Sequence, residues 1–223
     1  EAGEITYRRI SGYSYEITVV IYAKKASDIH TPIDVFRFGD GAEKVLDNPV
    51  IVDLPGGLTE KRSYKTTHTY PGPGKYVISA DHSNRISDIK NINSSVNVSF
   101  YLETELIINP FNPTDGQLAN NSPVLVNPPL DVACLYAPFE HNPGAIDPDG
   151  DSLTYKLIAC RGLNGLVLEY KYPDEINPGS DNKISIDLHT GDLLWDSPQL
   201  AGIYNVAILI EEWRNGQKVG SVI

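Results

Sequence analysis

Asp147-Pro148-Asp149-Gly150-Asp151-Ser152-Leu153-Thr154-Tyr155 joins a turn to a strand. The proline and the Asp-Gly pair mark the turn, and Gly150 can take a positive φ without steric penalty. Beyond it, Leu153, Tyr155 and Leu157 alternate with polar residues, the period of a half-buried strand. The same period returns in Ile184/Ile186/Leu188 and in Tyr204/Val206/Ile208/Ile210. These side chains are expected to face a core between two sheets. Helix-period segments are nearly absent. Strand-like runs bounded by Gly, Pro, Asn and Asp recur along the chain, which predicts an all-β fold of antiparallel β-sandwiches.

The 223 residues suit two tandem domains of about 100–120 residues each. Asn109-Pro110-Phe111-Asn112-Pro113-Thr114-Asp115-Gly116 and the Pro/Asn-rich piece from Asn120 to Pro129 interrupt the strand pattern. Proline removes ladder donors, so these stretches read as linker or irregular edge strand. The expected division is a sandwich over 1–109, a linker or edge strand over 110–130, and a second sandwich over 131–223. Val222-Ile223 reads as the inside of a strand, so the second sandwich is expected to be truncated there.

The net charge of −11 disfavours the nucleic-acid backbone as a partner and suits a hard cation. No apolar run reaches the roughly 18–20 residues of a membrane span, so no membrane insertion is expected of this stretch.

Asp147, Asp149 and Asp151 are spaced so that their carboxylates can converge on one Ca²⁺ in a curved loop. An EF-hand does not fit. Its glycine belongs at loop position six and its bidentate Glu at twelve, whereas Gly150 stands at the fourth place and Ile158 at the twelfth. Three carboxylates are too few for Ca²⁺, so further ligands would come from Glu140, Asp187, Asp192 or Asp115. The alternative is a solvated hairpin turn. Cys134 and Cys160 lie symmetrically thirteen residues either side of Asp147. If 132–139 and 153–160 pair across the turn, the two thiols fall opposite each other, within disulfide range.

Phe36-Arg37-Phe38-Gly39-Asp40-Gly41 ends a strand in a tight turn, and Thr67-His68-Thr69-Tyr70-Pro71-Gly72-Pro73-Gly74-Lys75-Tyr76 forms a strand, a turn and a second strand. Together they resemble the PKD family of Ig-like domains over residues 33–80, with Phe36 at the family's Trp and Arg37 at its Asp. Asp40 reads as a cap on its own turn and His68 as a structural hydrogen-bonding group. Farther on, the acidic turn is followed by Ile186-Asp187-Leu188-His189-Thr190-Gly191-Asp192-Leu193-Leu194-Trp195 and Gly202-Ile203-Tyr204-Asn205-Val206. Over residues 132–213 this order resembles cadherin-like and Ig-like modules of bacterial surface proteins. That resemblance implies Ca²⁺ ligation by Asp147 and Asp149, although the inter-domain Asp-Asn-Asp motif of cadherins is missing. The chain also resembles exported Bacteroidetes surface proteins, through Gly3-Glu4-Ile5-Thr6-Tyr7, Asn121-Ser122-Pro123-Val124 and Glu211-Glu212-Trp213-Arg214-Asn215-Gly216.

No nucleophile elbow, zinc-protease helix, phosphate loop or Cys-x-x-Cys occurs, and the five His are isolated. Glu211 and Glu212 point to opposite sides of a strand and read as solvated or edge-strand charge. Asn93, Asn97 and Asn120 head formal sequons but read as polar loop or strand residues. The expected function is a non-catalytic extracellular adhesion, spacer or display module, secreted or exposed at the cell surface. Its partner would be a protein or glycan at that surface. The alternative is an accessory carbohydrate-binding module of a polysaccharide-degrading system, with Tyr13, Tyr15, Tyr101, Tyr170, Tyr172, Trp195 and Trp213 as candidate sugar-stacking rings.

Overall fold

A computed structural model describes residues 2–25, 32–110, 119–179 and 181–223. The first half contributes eight strands: β1 (Ala2–Ser11), β2 (Ser14–Lys24), β3 (Ile33–Arg37), β4 (Glu43–Leu46), β5 (Val50–Asp53), β6 (Thr59–Thr69), β7 (Gly74–Asn84) and β8 (Ser99–Ile108). The remainder adds β9 (Val124–Leu125), β10 (Phe139–His141), β11 (Ala145–Ile146), β12 (Ser152–Ile158), β13 (Arg161–Gly162), β14 (Gly165–Leu166), β15 (Ile184–Ile186), β16 (Leu193–Trp195), β17 (Ala207–Arg214) and β18 (Gln217–Val222). The described helices are a 3₁₀ turn at Ser95–Asn97 and one short helix at Pro173–Ile176. The fold is therefore all-β and its long strand pairs are antiparallel, in the manner of Ig-like sandwiches.

Two sheets form the main sandwich. One runs β1-β2-β6-β5 and the other β12-β17-β18-β8-β7-β3-β4. Alternation explains the core between them. In β8, Phe100, Leu102, Thr104, Leu106 and Ile108 are buried while the residues alternating with them are half-buried. They meet Ile5, Ile17, Val19, Ile21 and Tyr64 from the facing sheet. Fully burying one such aliphatic side chain contributes about 1.5–3 kcal/mol. Truncating the wholly buried Ile17 to Ala would cost about 2–5 kcal/mol, because a cavity adds to the lost transfer energy.

The seven-stranded sheet takes strands from both sides of the 110–130 segment. β18 pairs with β8 through Gly220↔Leu106, Ser221↔Glu105 and Val222↔Thr104. Phe111–Gly116 of the expected boundary lies outside the described residues. A smaller cluster packs Ile89 and Ile92, between β7 and β8, against Cys160 and Val167 of the second half.

The expected hairpin of 132–139 with 153–160 does not form. β12 pairs with β17 (Tyr155↔Ile210), and residues 139–141 pair instead with β16. The predicted Cys134–Cys160 disulfide is corrected accordingly: both thiols are free, Cys134 on the surface and Cys160 buried. No strand forms over 131–138, so nothing presents Cys134 to β12 in the expected register. The expected inward alternation holds at Tyr155 and Ile210, which are buried, and fails at Leu188 and Val206, which are 43% and 37% exposed. Leu188 falls just past the end of β15, where no sheet face continues.

Candidate functional site

The acidic turn closes on itself first. Oδ1 of Asp147 accepts from the amides of Asp149 (2.8 Å) and Asp151 (2.9 Å), and Gly150 takes a φ of 80°. This brings ligand oxygens of Asp147, Asp149 and Asp151 within 4.8 Å of one another. Like charges so close repel unless donors or cations offset them.

Two elements supply the offset. β12 pairs with β17 in a register that sets Ser152 opposite Trp213, so Arg214 lies across from Asp151. Its Nε and Nη2 bind the two oxygens of Asp151 at 2.7 and 2.6 Å, and Nη2 stands 3.5 Å from Asp149. This bidentate, charge-assisted geometry is the strong form of the pair. On the other flank, the backbone N and the Nδ2 of Asn121 donate to Asp149 at 2.6 and 2.8 Å. Asn121 is itself anchored to β1, where the Arg9 amide donates to its Oδ1 at 2.8 Å. Next to it, the amide of Tyr7 donates to Ser122 Oγ and the amide of Ser122 donates to the Tyr7 carbonyl. Residues 120–122 thus clasp the edge of β1 and the acidic turn at once.

Behind the turn stands Glu212 of β17, wholly buried. Asn120 Nδ2 donates to its Oε2 at 2.5 Å and to the Tyr7 hydroxyl at 3.0 Å. Opposite Glu212 in the register is Gly220, where a Cβ would lie 2.6 Å from Glu212 Oε1 and 2.4 Å from the Tyr7 hydroxyl. Only glycine leaves room for this buried group. Burial pushes the Glu212 carboxyl up to about 8. Asn120 opposes the shift, and the charges of Asp147, Asp151 and Asp149 add to it. Burial likewise raises Asp147, against the two amides that it accepts. Asp151 raises the Arg214 guanidinium further. Two buried oxygens, Asp147 Oδ2 and Glu212 Oε1, have no hydrogen-bond partner among the described residues.

The other sequence-derived ligands go elsewhere. Glu140 is exposed on β10. Asp187 accepts from the amides of His189 and Thr190, and Asp192 from Asn142 and Thr190, so both close a separate turn. Asp115 lies outside the described residues. Glu211 and Glu212 correct the expectation of solvated charge: both are buried. Glu211 pairs with Lys156 (2.8 Å) and Lys218 (3.3 Å) on one face, and Glu212 turns into the site on the other. Sequence reasoning missed Arg214, Asn120 and Asn121 altogether. Glu212 was misread as solvated, although its phase, shared with Ile208 and Ile210, was the signal that could have placed it inside.

In the first half, Asp40 accepts from the Ala42 amide at 3.1 Å and lies 2.7 Å from His68 Nε2. The His68 ring stacks on Phe38, with centroids 4.0 Å apart. Of the candidate stacking rings, Tyr15 and Trp195 are buried and Tyr13 packs against the core. Tyr172 instead lines a cleft of about 460 Å³ with Glu103, Arg161, Leu209 and Ser221.

Fold and site together define an antiparallel β-sandwich protein with a charged clasp joining its two halves. Among known proteins, the chain is similar to the integrin beta-like protein A of Dictyostelium discoideum. The two are 25% identical over 223 residues, a match covering 96% of this chain. The chain spans only 11% of that relative's length. No family model matches the chain, and no solved structure does. Among the described residues, no helix is long and apolar enough to cross a membrane.

Proposed function

We propose that the chain is a non-catalytic module of an extracellular surface protein, used for adhesion, spacing or display, with Ca²⁺ stiffening the junction at the acidic turn. The carrying observation is the clasp. The turn, residues 120–122, β1 and β17 are tied into one joint that holds more carboxylates than cations. A module of this kind serves by keeping its shape under load, and a stiff joint between halves suits it. The PKD-like and cadherin-like motifs and the resemblance to exported Bacteroidetes proteins support exposure at a cell surface. A relative named for its likeness to integrin β chains supports adhesion.

The donor chemistry suits a hard cation, which prefers oxygen ligands at about 2.3–2.6 Å. Asp147 offers one buried oxygen with no donor on it, and Asp149 and Asp151 retain lone pairs beyond those that Asn121 and Arg214 engage. Calorimetric Ca²⁺ titration beside thermal melting tests the proposal. Wild type should bind and melt higher with Ca²⁺, and Asp149→Ala should respond less. Absence of binding and of any melting shift in wild type sinks the cation role.

A second function is favoured by the cleft at Tyr172, whose aromatic ring and flanking Glu103–Arg161 pair (3.1 Å) are features of a sugar subsite. Glycan-array binding abolished by Tyr172→Ala would establish a carbohydrate-binding module instead.

A further inference from the structure

The cleft at Tyr172 lies on the outer face of the seven-stranded sheet, and strand alternation puts it there. Leu102, Thr104 and Leu106 of β8 are buried toward the sandwich core, so Glu103 and Glu105 between them turn the other way and line the cleft. Ser221 of β18 stands opposite Glu105 on one side and Glu211 of β17 on the other. The floor therefore runs without a break from the first half of the chain into the second. Its volume, about 460 Å³, falls in the range of roughly 300–1,000 Å³ that small-molecule sites occupy.

Among the described residues, four charged side chains line the cleft: Glu103, Glu105, Arg161 and Lys218. Each is already matched. Arg161 Nη1 lies 3.1 Å from Glu103. Lys218 Nζ lies 3.2 Å from Glu105 and 3.3 Å from Glu211, and the second oxygens of those two acids pair with Lys75 and Lys156. A ligand carboxylate would have to displace an acid from its cation and then lie beside it as a like charge. A ligand cation meets the converse obstacle at Arg161 and Lys218. A hydroxyl meets neither, because paired carboxylates keep unused lone pairs and paired cations keep unused N–H groups. Beside these groups, Leu209, the Tyr172 ring and Val77, which is 40% exposed, offer apolar surface.

Resting on the carbohydrate reading of this cleft, we infer that its ligand is a neutral saccharide, held across the seam between the two halves, and that acidic saccharides are excluded. The compensated charges take the hydroxyls, and the apolar surface takes a C–H face of a sugar ring. The Glu103–Arg161 pair sets the selectivity: while Glu103 occupies the guanidinium, no uronate carboxylate can. Because the ligand touches β8 of one half and β17 and β18 of the other, binding also favours the arrangement in which the halves share a sheet.

The experiment probes the full chain with an array of neutral and uronic-acid oligosaccharides, followed by calorimetry on the best neutral member and on oligogalacturonate. Wild type, Tyr172→Ala and Glu103→Gln are compared at low and high salt. Wild type should bind the neutral sugar with an affinity that salt leaves unchanged, and should not bind oligogalacturonate. Glu103→Gln keeps the shape and hydrogen-bonding capacity of the side chain but frees Arg161. It should raise oligogalacturonate affinity at least about tenfold, in a salt-sensitive way, and leave neutral binding within about threefold. The pair is partly exposed, so this variant is expected to fold. Preference of wild type for the uronate, or no gain in Glu103→Gln, overturns the inference while leaving a sugar site in place. Neutral binding that survives Tyr172→Ala overturns it too, because the sugar then sits elsewhere. Absence of binding to every member of the array removes the carbohydrate reading itself.

Discussion

Arg214→Gln isolates the clasp. The substitution removes two short bonds to Asp151, the 3.5 Å contact to Asp149 and a 3.3 Å bond to Asn120. Asp151 is the critical partner, because its side chain is only 4% exposed and its charge cannot be recovered by water. Breaking a buried pair by deleting one member costs about 3–5 kcal/mol. Arg214 and Asp149 keep nearly a fifth of their side-chain surface in solvent, which argues for the lower end, about 3 kcal/mol. At this chain length that is a fall in Tm of roughly 6–12 °C. Chemical denaturation of wild type, Arg214→Gln, Asp151→Asn and the double variant provides the assay. The double variant should lose less than the sum of the singles, with a coupling of about 2 kcal/mol. Lys25→Gln is the control. It breaks a pair that is half exposed on both sides and should change stability by no more than about 0.5 kcal/mol. Additive losses in the cycle, or an Arg214→Gln loss no larger than the control's, would refute the clasp as a stabilising joint.

Three further outcomes follow from burial and backbone geometry. Burial lifts the Glu4 carboxyl from its usual 4.5 to about 7, with Lys61 opposing, and one of its oxygens is buried without a partner. A raised folded pKa favours the folded state fully below pH 4.5, and that advantage is lost as pH rises through 7. Glu4→Gln should therefore match wild type near pH 4 and be more stable by up to about 3 kcal/mol above pH 8; parallel stability profiles would exclude this. Alkylation of the native, unreduced protein should label Cys134 quickly and Cys160 only on unfolding, since burial raises the latter thiol to about 11. An unfolded, unreduced chain that takes up no label would restore the disulfide. Gly39→Ala should cost about 2 kcal/mol or more, because φ is +90° and the new Cβ would meet the Val77 backbone at 2.7 Å. Gly41→Ala, with φ +96° and nothing within 4 Å, should cost about half as much, and equal losses would mean that the steric contact is unimportant.

Local physics was legible in the chain where one residue's neighbours in sequence are also its neighbours in space. Period-two alternation located β12, β15 and β17, and the Asp-Gly turns fell where the backbone needs positive φ, at Gly41 and Gly150. The convergence of Asp147, Asp149 and Asp151 is equally local, since one carboxylate capping two amides folds the turn. Strand partnership was not legible. Two strands flanking a turn normally pair with each other, and the Cys134–Cys160 expectation followed from that rule. β12 instead pairs with a strand that begins about fifty residues later, and its edge position is set by β17 and β18 joining β8. Non-local pairing carries no period that one segment can display alone.

The same limit explains why the site's most consequential groups escaped notice. Arg214, Asn121 and Asn120 reach the turn from separations of 63, 28 and, through Glu212, 92 residues. Each looks like an ordinary polar residue near a strand end or a proline. Glu212 was different, because its phase put it inside with Ile210, and a carboxylate on a core-facing position needs a physical reason to be there. Glycine at 220 lets Glu212, Tyr7 and Asn120 pack closely there, and Asn120 donates to one Glu212 oxygen. The acidic turn is therefore better understood from its partners than from its exposed face: Arg214 and Asn121 hold its carboxylates and fasten them to β17 and β1.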